Sequence, residues 1–257
     1  MPKTRGEILA PAGSIESVYA AVGCGADAVY FGSRDFNARK NATNFSEEEF
    51  INAVKYCHLH DVKVYQTVNT IIYDNEIDEL KIALRHACEA GVDALIIQDL
   101  AVYEIVKACC PDMPLHASTQ MSVHTLSGAL QLKEMGFERV VLSRELSREQ
   151  ILNITKNADI ETEVFVHGAL CMCVSGQCLM SSVLGGRSGN RGLCAQPCRL
   201  PFCTENGTGN DLSLKDLSLI ERAQELTEIG VDSFKIEGRM KRPEYVAAAV
   251  TAVRSTL

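Results

Sequence analysis

The sequence predicts an α/β chain folded as a (β/α)8, TIM-like barrel with a Cys-rich loop inserted after strand 7. Three observations predict it. One pattern recurs four times: Gly25-Ala26-Asp27 before AVYFG, Gly91-Val92-Asp93 before ALIIQD, Gly136-Phe137-Glu138 before RVVLSRE, and Gly230-Val231-Asp232 before SFKIEG. In each, a helical pattern ends at Gly, the residue that takes the left-handed C-cap without steric cost, and an acidic residue then opens a short apolar run. Helix, Gly cap and mostly buried strand is the pattern of a parallel sheet covered by helices. Filling the gaps yields eight strands in 257 residues, the count and length of a barrel. The first strand is followed by APAGS, without the G-x-G-x-x-G that a dinucleotide-binding open sheet places there.

Taken in order, the strands are expected near Glu7–Ala10, Asp27–Gly32, Val62–Asn69, Asp93–Gln98, Pro114–Ala117, Glu138–Ser143, Glu163–Val166 and Asp232–Ile236. Helices fit between them at Ser14–Cys24, Ser46–His60, Asn75–Ala90, Leu100–Cys110, Ser122–Met135, Ser147–Asn157 and Leu217–Ile229. Ser46 with Glu49 and Ser147 with Gln150 have the spacing of reciprocal capping boxes. A last helix starts at Pro243, whose fixed φ suits a first helical turn. The chain therefore reads as one barrel domain, 1–257, carrying an insertion over 168–211.

Composition narrows the function classes. With 46% hydrophobic residues the chain can bury a sizeable core, and its net charge of −8 argues against coating nucleic acid or an anionic membrane with the whole surface. No segment approaches the ~18 apolar residues of a membrane span, and MPKTRGEILAPAGS lacks the apolar core of a secretory signal. Eleven cysteines without such a signal point to a reducing, cytoplasmic setting, where thiols stay free or bind metal. Cys24, Cys57 and Cys88 sit in helical patterns and read as small hydrophobes; Cys109 and Cys110 end another helix.

The run from His167 to Arg199, HGALCMCVSGQCLMSSVLGGRSGNRGLCAQPCR, is different in kind. It holds Cys171, Cys173, Cys178, Cys194 and Cys198 in a Gly/Ser/Arg-rich stretch with no helical or strand period. No Asp, Glu or Lys occurs from His167 to Thr204, so the segment is locally cationic. The spacing Cys171-x6-Cys178-x15-Cys194-x3-Cys198 suits four thiolates around zinc or around an iron–sulfur cluster. Structural zinc usually takes paired C-x2–4-C knuckles; only Cys194 and Cys198 fit, so the spacing favours the cluster, with zinc the alternative. Arg187 and Arg191 in GGRSGNRG are candidates to hold a phosphate or carboxylate beside it, and fit contact with RNA phosphates.

Residues just past barrel strands point into one mouth. They include Asn37, Arg39, Gln66, Asn69, Gln98, His116, Ser118, Gln120, Arg144, His167, Glu237, Arg239 and Lys241. Such a polar, cation-rich set suits an anionic or heavily hydrogen-bonding ligand. His116 and His167 at strand ends are candidate acids, bases or ligands, set against a structural hydrogen-bonding role. Glu237 and Arg239 in IEGRMKRPE either grip an anion or pair with strand-end neighbours.

The segments ILAPAGS, GADAVYFG, FNAR with the following NF, HASTQMSVH, RVVLSRELS, EVFVHGALC, SGQC, GGRSGNRGLCAQPCR, LSLKDL and KIEGRMKRPEYVA follow one another as in the collagenase-like peptidase family, whose members were classed as peptidases of unknown mechanism. The resemblance spans nearly the whole chain. It implies an iron–sulfur protein of oxygen-independent hydroxylation, since family members act on ribosomal RNA cytidine, transfer RNA wobble uridine or ubiquinone precursors. GGRSGNRG and AQPCR resemble most the branch that forms 5-hydroxycytidine in 23S ribosomal RNA, with prephenate, a small anionic metabolite, implicated. Carried over by position, it makes Cys171, Cys178 and Cys194 ligands of a 4Fe-4S cluster, Cys198 the fourth with Cys203 in reserve, and Cys173 a neighbour. The resemblance further implies domains beyond the barrel that this chain lacks.

Three functions compete. In the first, a hydroxylase, His116, His167 or Glu237 moves protons while Gln120, Arg187, Arg191 and Arg239 hold substrate. In the second, the chain is a peptidase; it has neither H-E-x-x-H nor G-x-S-x-G, and a cysteine bound to iron is unavailable as a nucleophile. In the third, it is a cluster-bearing RNA-binding subunit.

Overall fold

The structure, a computed structural model, describes residues 5–33, 35–39, 45–205 and 207–257. The first four residues and Asn44 of the NF pair lie outside the described residues. Seven parallel strands come first: β1 Glu7–Pro11, β2 Ala28–Phe31, β3 Lys63–Val68, β4 Ala94–Ile97, β5 Leu115–Ala117, β6 Arg139–Val141 and β7 Glu161–Gly168. An antiparallel hairpin, β8 Phe202–Thr204 with β9 Gly207–Gly209, and the short β10 Leu217–Ser218 separate them from the eighth barrel strand, β11 Ser233–Ile236. Parallel pairing of β6 with β7, β7 with β11 and β11 with β1 closes the barrel. Outside it lie α1 Ile15–Gly23, α2 Glu47–Leu59, α3 Ile77–Ala90, α4 Leu100–Cys109, α5 Leu126–Glu134 and α6 Arg148–Asn157, then α7 Met180–Gly185 within the insertion, α8 Ala223–Glu228 and α9 Pro243–Thr256. Among the described residues no helix is long and apolar enough to cross a membrane.

The Gly-x-acid repeat has a double use. Gly25, Gly91, Gly136 and Gly230 all have φ between +78° and +94°, so each turn needs glycine's freedom. The aspartate that follows reaches sideways to the neighbouring strand. Asp27 Oδ2 accepts the Ile8 N–H at 2.8 Å, Asp93 Oδ2 the Val64 N–H at 2.7 Å, and Asp232 Oδ2 the Thr162 N–H at 2.8 Å. These bonds satisfy strand-start donors at the lower rim that the sheet ladder leaves open. Both capping boxes form as expected, at Ser46/Glu49 and Ser147/Gln150.

Two helices differ from expectation. Leu217–Ile229 is not one helix: Leu217 and Ser218 pair antiparallel with Gly168 and His167, a 3-10 turn covers Ile220–Arg222, and α8 starts only at Ala223. Pairing with the long end of β7 overrides the local helical pattern there. The expected Ser122 start is also corrected: Ser122 is left-handed at φ 58°, and Thr125 caps α5 by accepting from the Gly128 N–H.

The main core lies between strands and helices, while the barrel interior is only partly apolar, with Leu9, Ala28, Tyr30, Tyr65, Ala94 and Ile96. The rest is ionic. Arg139, 4% exposed, meets Glu7 at 2.5 Å, Glu161 at 2.7 Å and Glu163 at 3.3 Å, and Glu163 meets Lys235 at 2.6 Å. This network is the floor on which the mouth is built.

Candidate active site

Strand alternation sets the upper wall. Lys235, Glu237 and Arg239 stand at every second position through and just past β11, so they share the inward face. The first βα turn holds them in place from the side: a Cβ on Gly13 of APAGS would lie 1.9 Å from the Arg239 carbonyl oxygen, so only glycine allows the approach. Arg239 Nη1 donates to Thr67 Oγ1 at 2.9 Å, and Arg39 Nη2 meets Glu237 Oε1 at 3.0 Å. Burial alone would raise the Glu237 pKa, yet Arg39, Arg144 and Arg239 bring it down to about 2. Burial and the nearby Arg39 lower Arg239 to about 10, still a cation at neutral pH.

The insertion forms the other wall. A cavity of about 220 Å³ opens between it and the barrel mouth, lined on one side by Cys171, Cys178, Cys194 and Cys198. Arg39, Arg144, Arg199, Lys235 and Arg239 line it against a single acid, Glu237. Even with Lys235 neutralised by Glu163, the cavity carries a positive balance suited to an anion. Sulfur atoms on this wall accept hydrogen bonds from backbone two residues on: Cys178 from the Met180 N–H at 3.4 Å, Cys194 from the Gln196 N–H at 3.3 Å, and Cys171 from the backbone of Cys173. Burial pushes the Cys171 thiol up; that bond and Arg144 oppose it. Such N–H···S contacts favour thiolates and are typical surroundings for thiolate-ligated metal. Among the described residues no three His, Cys, Asp or Glu side chains converge at the spacing of one bound ion. The four cysteines instead share the lining of one cavity.

Of the residues singled out from sequence, Gln120, Glu237, Arg239 and the four cysteines line this cavity together. Gln120 is 7% exposed and its Oε1 lacks a partner, an acceptor left for a ligand donor. Cys173 and Cys203 are not in the lining. The two histidines stand elsewhere. His116 sits inside the barrel against Tyr65, ring centroids 4.7 Å apart, and burial together with Arg139 and Lys235 lowers its pKa well below the usual imidazole range. His167 stacks on Tyr245 at 5.6 Å, outside the lining.

Arg187 and Arg191 are not in the cavity lining, unlike Arg199 of the same insertion. Arg187 is exposed and its Nε donates to the Leu193 carbonyl at 3.1 Å. Arg191 is a strap: it binds Glu76 through both Nη atoms at 2.9 and 2.5 Å, donates to the Ile71 carbonyl at 2.6 Å, and lies 4.0 Å over the Tyr73 ring. Arg191→Ala is expected to free the insertion at a cost of about 1.5–3 kcal/mol. Limited proteolysis should then cut within 170–200 at least about tenfold faster than in the wild type.

Lys235 and Tyr30 also line the cavity without having been singled out from sequence, whereas Arg199 counts among the three arginines of the cysteine-rich run. Lys235 was findable, two residues before Glu237 on the same face. Burial lowers its pKa, against the pull of Glu163. Arg199 ties the two ends of the insertion, donating to the Leu170 carbonyl at 2.6 Å and to Ser213 Oγ at 3.0 Å.

Glu237 also predicts a pH effect. Its folded pKa is depressed, so its contribution is present above the unfolded value near 4.5 and is lost as pH falls towards 2. The wild type should lose on the order of 3 kcal/mol relative to Glu237→Gln across that window, read from urea unfolding at stepped pH.

Comparison with known proteins agrees with this architecture. The family model described as Peptidase family U32 matches residues 13–257. The chain is 40% identical over 258 residues to the 23S rRNA 5-hydroxycytidine C2501 synthase of Escherichia coli (strain K12), covering 98% of this chain and 39% of that protein. It is 37% identical over 264 residues to tRNA hydroxylation protein P1 of Bacillus subtilis (strain 168), covering 98% of this chain and 63% of that protein. The chain thus spans under two thirds of the length of either relative. The solved structure of the U32 peptidase Mk0906 shares the fold, with TM-score 0.63, 13% identity, and coverage of 93% of this chain and 96% of that one. From its barrel, its insertion and these matches, the chain belongs to peptidase family U32.

Proposed function

We propose that this chain is the barrel portion of an RNA hydroxylation enzyme, with 5-hydroxycytidine formation in 23S ribosomal RNA as its reaction. One observation carries the reading. Four cysteines, three of them with sulfurs that accept backbone N–H groups, share one cavity at the barrel mouth with Arg39, Arg144, Arg199 and the buried Arg239, where barrel enzymes keep their chemistry. The names of the relatives supply the substrate class: one concerns 23S rRNA cytidine, the other tRNA.

Cys171, Cys178, Cys194 and Cys198, which line one cavity, would hold a 4Fe-4S cluster; their irregular spacing in sequence supports a cluster over a single zinc ion. When bound, such a cluster would supply electrons to the reaction. Arg39, Arg144 and Arg239 would bind the carboxylates of a small anionic co-substrate, prephenate being the candidate. Arg144 Nε is buried without a partner, a donor free for that purpose. Glu237, held ionised, is a weak base; its role is to fix Arg39. His116, held neutral inside the barrel, does not reach the cavity to move a proton there. Lys235 lines the cavity as an amine whose pKa burial lowers, and it replaces the histidines as candidate proton carrier.

In its cysteine-nucleophile form, the peptidase reading of the family name would pair a thiol with an imidazole base. No histidine is among the described residues lining the cavity. Deleting the gene should abolish one hydroxylated cytidine in 23S rRNA, read by mass spectrometry of nuclease fragments. The wild-type gene should restore it and a Cys171→Ser copy should not. A modification lost from tRNA instead would reassign the substrate; gelatin cleavage by Cys171→Ser protein would refute the hydroxylase.

A further inference from the structure

A second cavity lies outside the barrel, in the layer between the sheet and α2 and α3, with a volume of about 480 Å³. That is within the size range of small-molecule sites. Its walls include the rings of Phe36 and Phe50, and its rim carries Glu47, Glu79 and Glu89. Among the described lining residues the only basic side chain is His86, 3.9 Å from Glu47.

One buried residue in this cavity is out of place. Along β3, Tyr65 and Thr67 point into the barrel, while Val64, Gln66 and Val68 face the helices. That outer layer is otherwise apolar, yet Gln66 is only 2% exposed. Its Nε2 donates to Ser33 Oγ at 3.3 Å, whereas Oε1 is shut off from solvent with no partner. An orphaned buried carbonyl is costly unless something donates to it, and Gln66 is among the residues that line a cavity large enough to admit a donor.

We propose that this cavity binds an organic ammonium ion that has a ring-sized apolar body and a hydrogen-bond donor at its far end. The donor meets Gln66 Oε1, the body packs against Phe36 and Phe50, and the cationic end faces the acidic rim. This site is separate from the cysteine cavity and does not rest on the hydroxylation reading.

Three probes separate these contributions by isothermal titration calorimetry on the intact chain. Tyramine has all three parts, phenethylamine lacks the hydroxyl, and 4-ethylphenol lacks the charge. Tyramine should saturate one site, with each of the other two binding at least about tenfold more weakly. Gln66→Leu should erase the difference between tyramine and phenethylamine. Glu79→Gln with Glu89→Gln, at exposed positions of α3, should erase much of the difference between tyramine and 4-ethylphenol without disturbing the fold. The proposal is overturned if tyramine fails to saturate below about 10 mM, a level weaker than ordinary small-molecule sites. It is also overturned if the three probes bind alike, or if the double variant, checked as folded by circular dichroism, binds tyramine as the wild type does.

Discussion

If the proposed cluster is present, replacing any one of Cys171, Cys178, Cys194 or Cys198 with serine is expected to strip the chain of most of its iron. Hydroxylation should fall by at least about 100-fold, beyond the 10–100-fold that losing a mere supporting contact costs a metal site. Serine keeps the size of the side chain but offers a harder, far more basic oxygen in place of a thiolate. The four positions should behave alike because they line one cavity from a single insertion. Cys173→Ser and Cys203→Ser are the controls: neither residue is in that lining, so iron content should stay at the wild-type level. Should Cys203→Ser lose iron while Cys198→Ser keeps it, the fourth ligand is reassigned. The readout is iron and sulfide per chain with circular dichroism alongside, since a folded, iron-poor variant is the specific result.

Arg139→Met should unfold the barrel more readily than any surface change. Arg139 is buried among Glu7, Glu161 and Glu163, and removing it takes a cationic partner from all three carboxylates, while Lys235 pairs with Glu163. Breaking a buried ionic network on one side costs about 3–5 kcal/mol, because the remaining charge stays desolvated. For a chain of this size that lowers the melting temperature by about 10 °C. Adding Glu7→Gln should return part of the loss by removing one orphaned charge, which a double-mutant cycle would measure. The consequence reaches the site, because Glu163 also holds Lys235, a cavity residue. A loss within 1 kcal/mol, if about 3 or more is required, would mean that the network is not a support of the mouth.

The barrel was legible from local signals. Helix, Gly turn and apolar run are each encoded within a dozen residues, and the positive φ of Gly25, Gly91, Gly136 and Gly230 is the physical reason the repeat exists. What Asp27, Asp93 and Asp232 do was not legible, because each bonds a strand-start amide 19, 29 or 70 residues away. The cysteine spacing marked the insertion as a candidate metal loop. The tie of Arg191 was hidden for the same reason of distance: it looks free in GGRSGNRG, yet its carboxylate partner, Glu76, lies 115 residues earlier. The histidines failed differently. A strand-end position does not say which way a ring turns, and β10, pairing back along β7, meets His167 while Tyr245 takes its ring. The segment starting at Leu217 read as helix because its pattern is helical, and pairing with Gly168 and His167 decided otherwise.

The account turns on what the four thiols hold, and one measurement addresses that most directly. The protein should be purified without air and assayed for iron, acid-labile sulfide and zinc per chain. About four iron and four sulfide per chain, with broad visible absorption that bleaches on reduction, is the predicted result. A colourless protein carrying one zinc and no sulfide would contradict it.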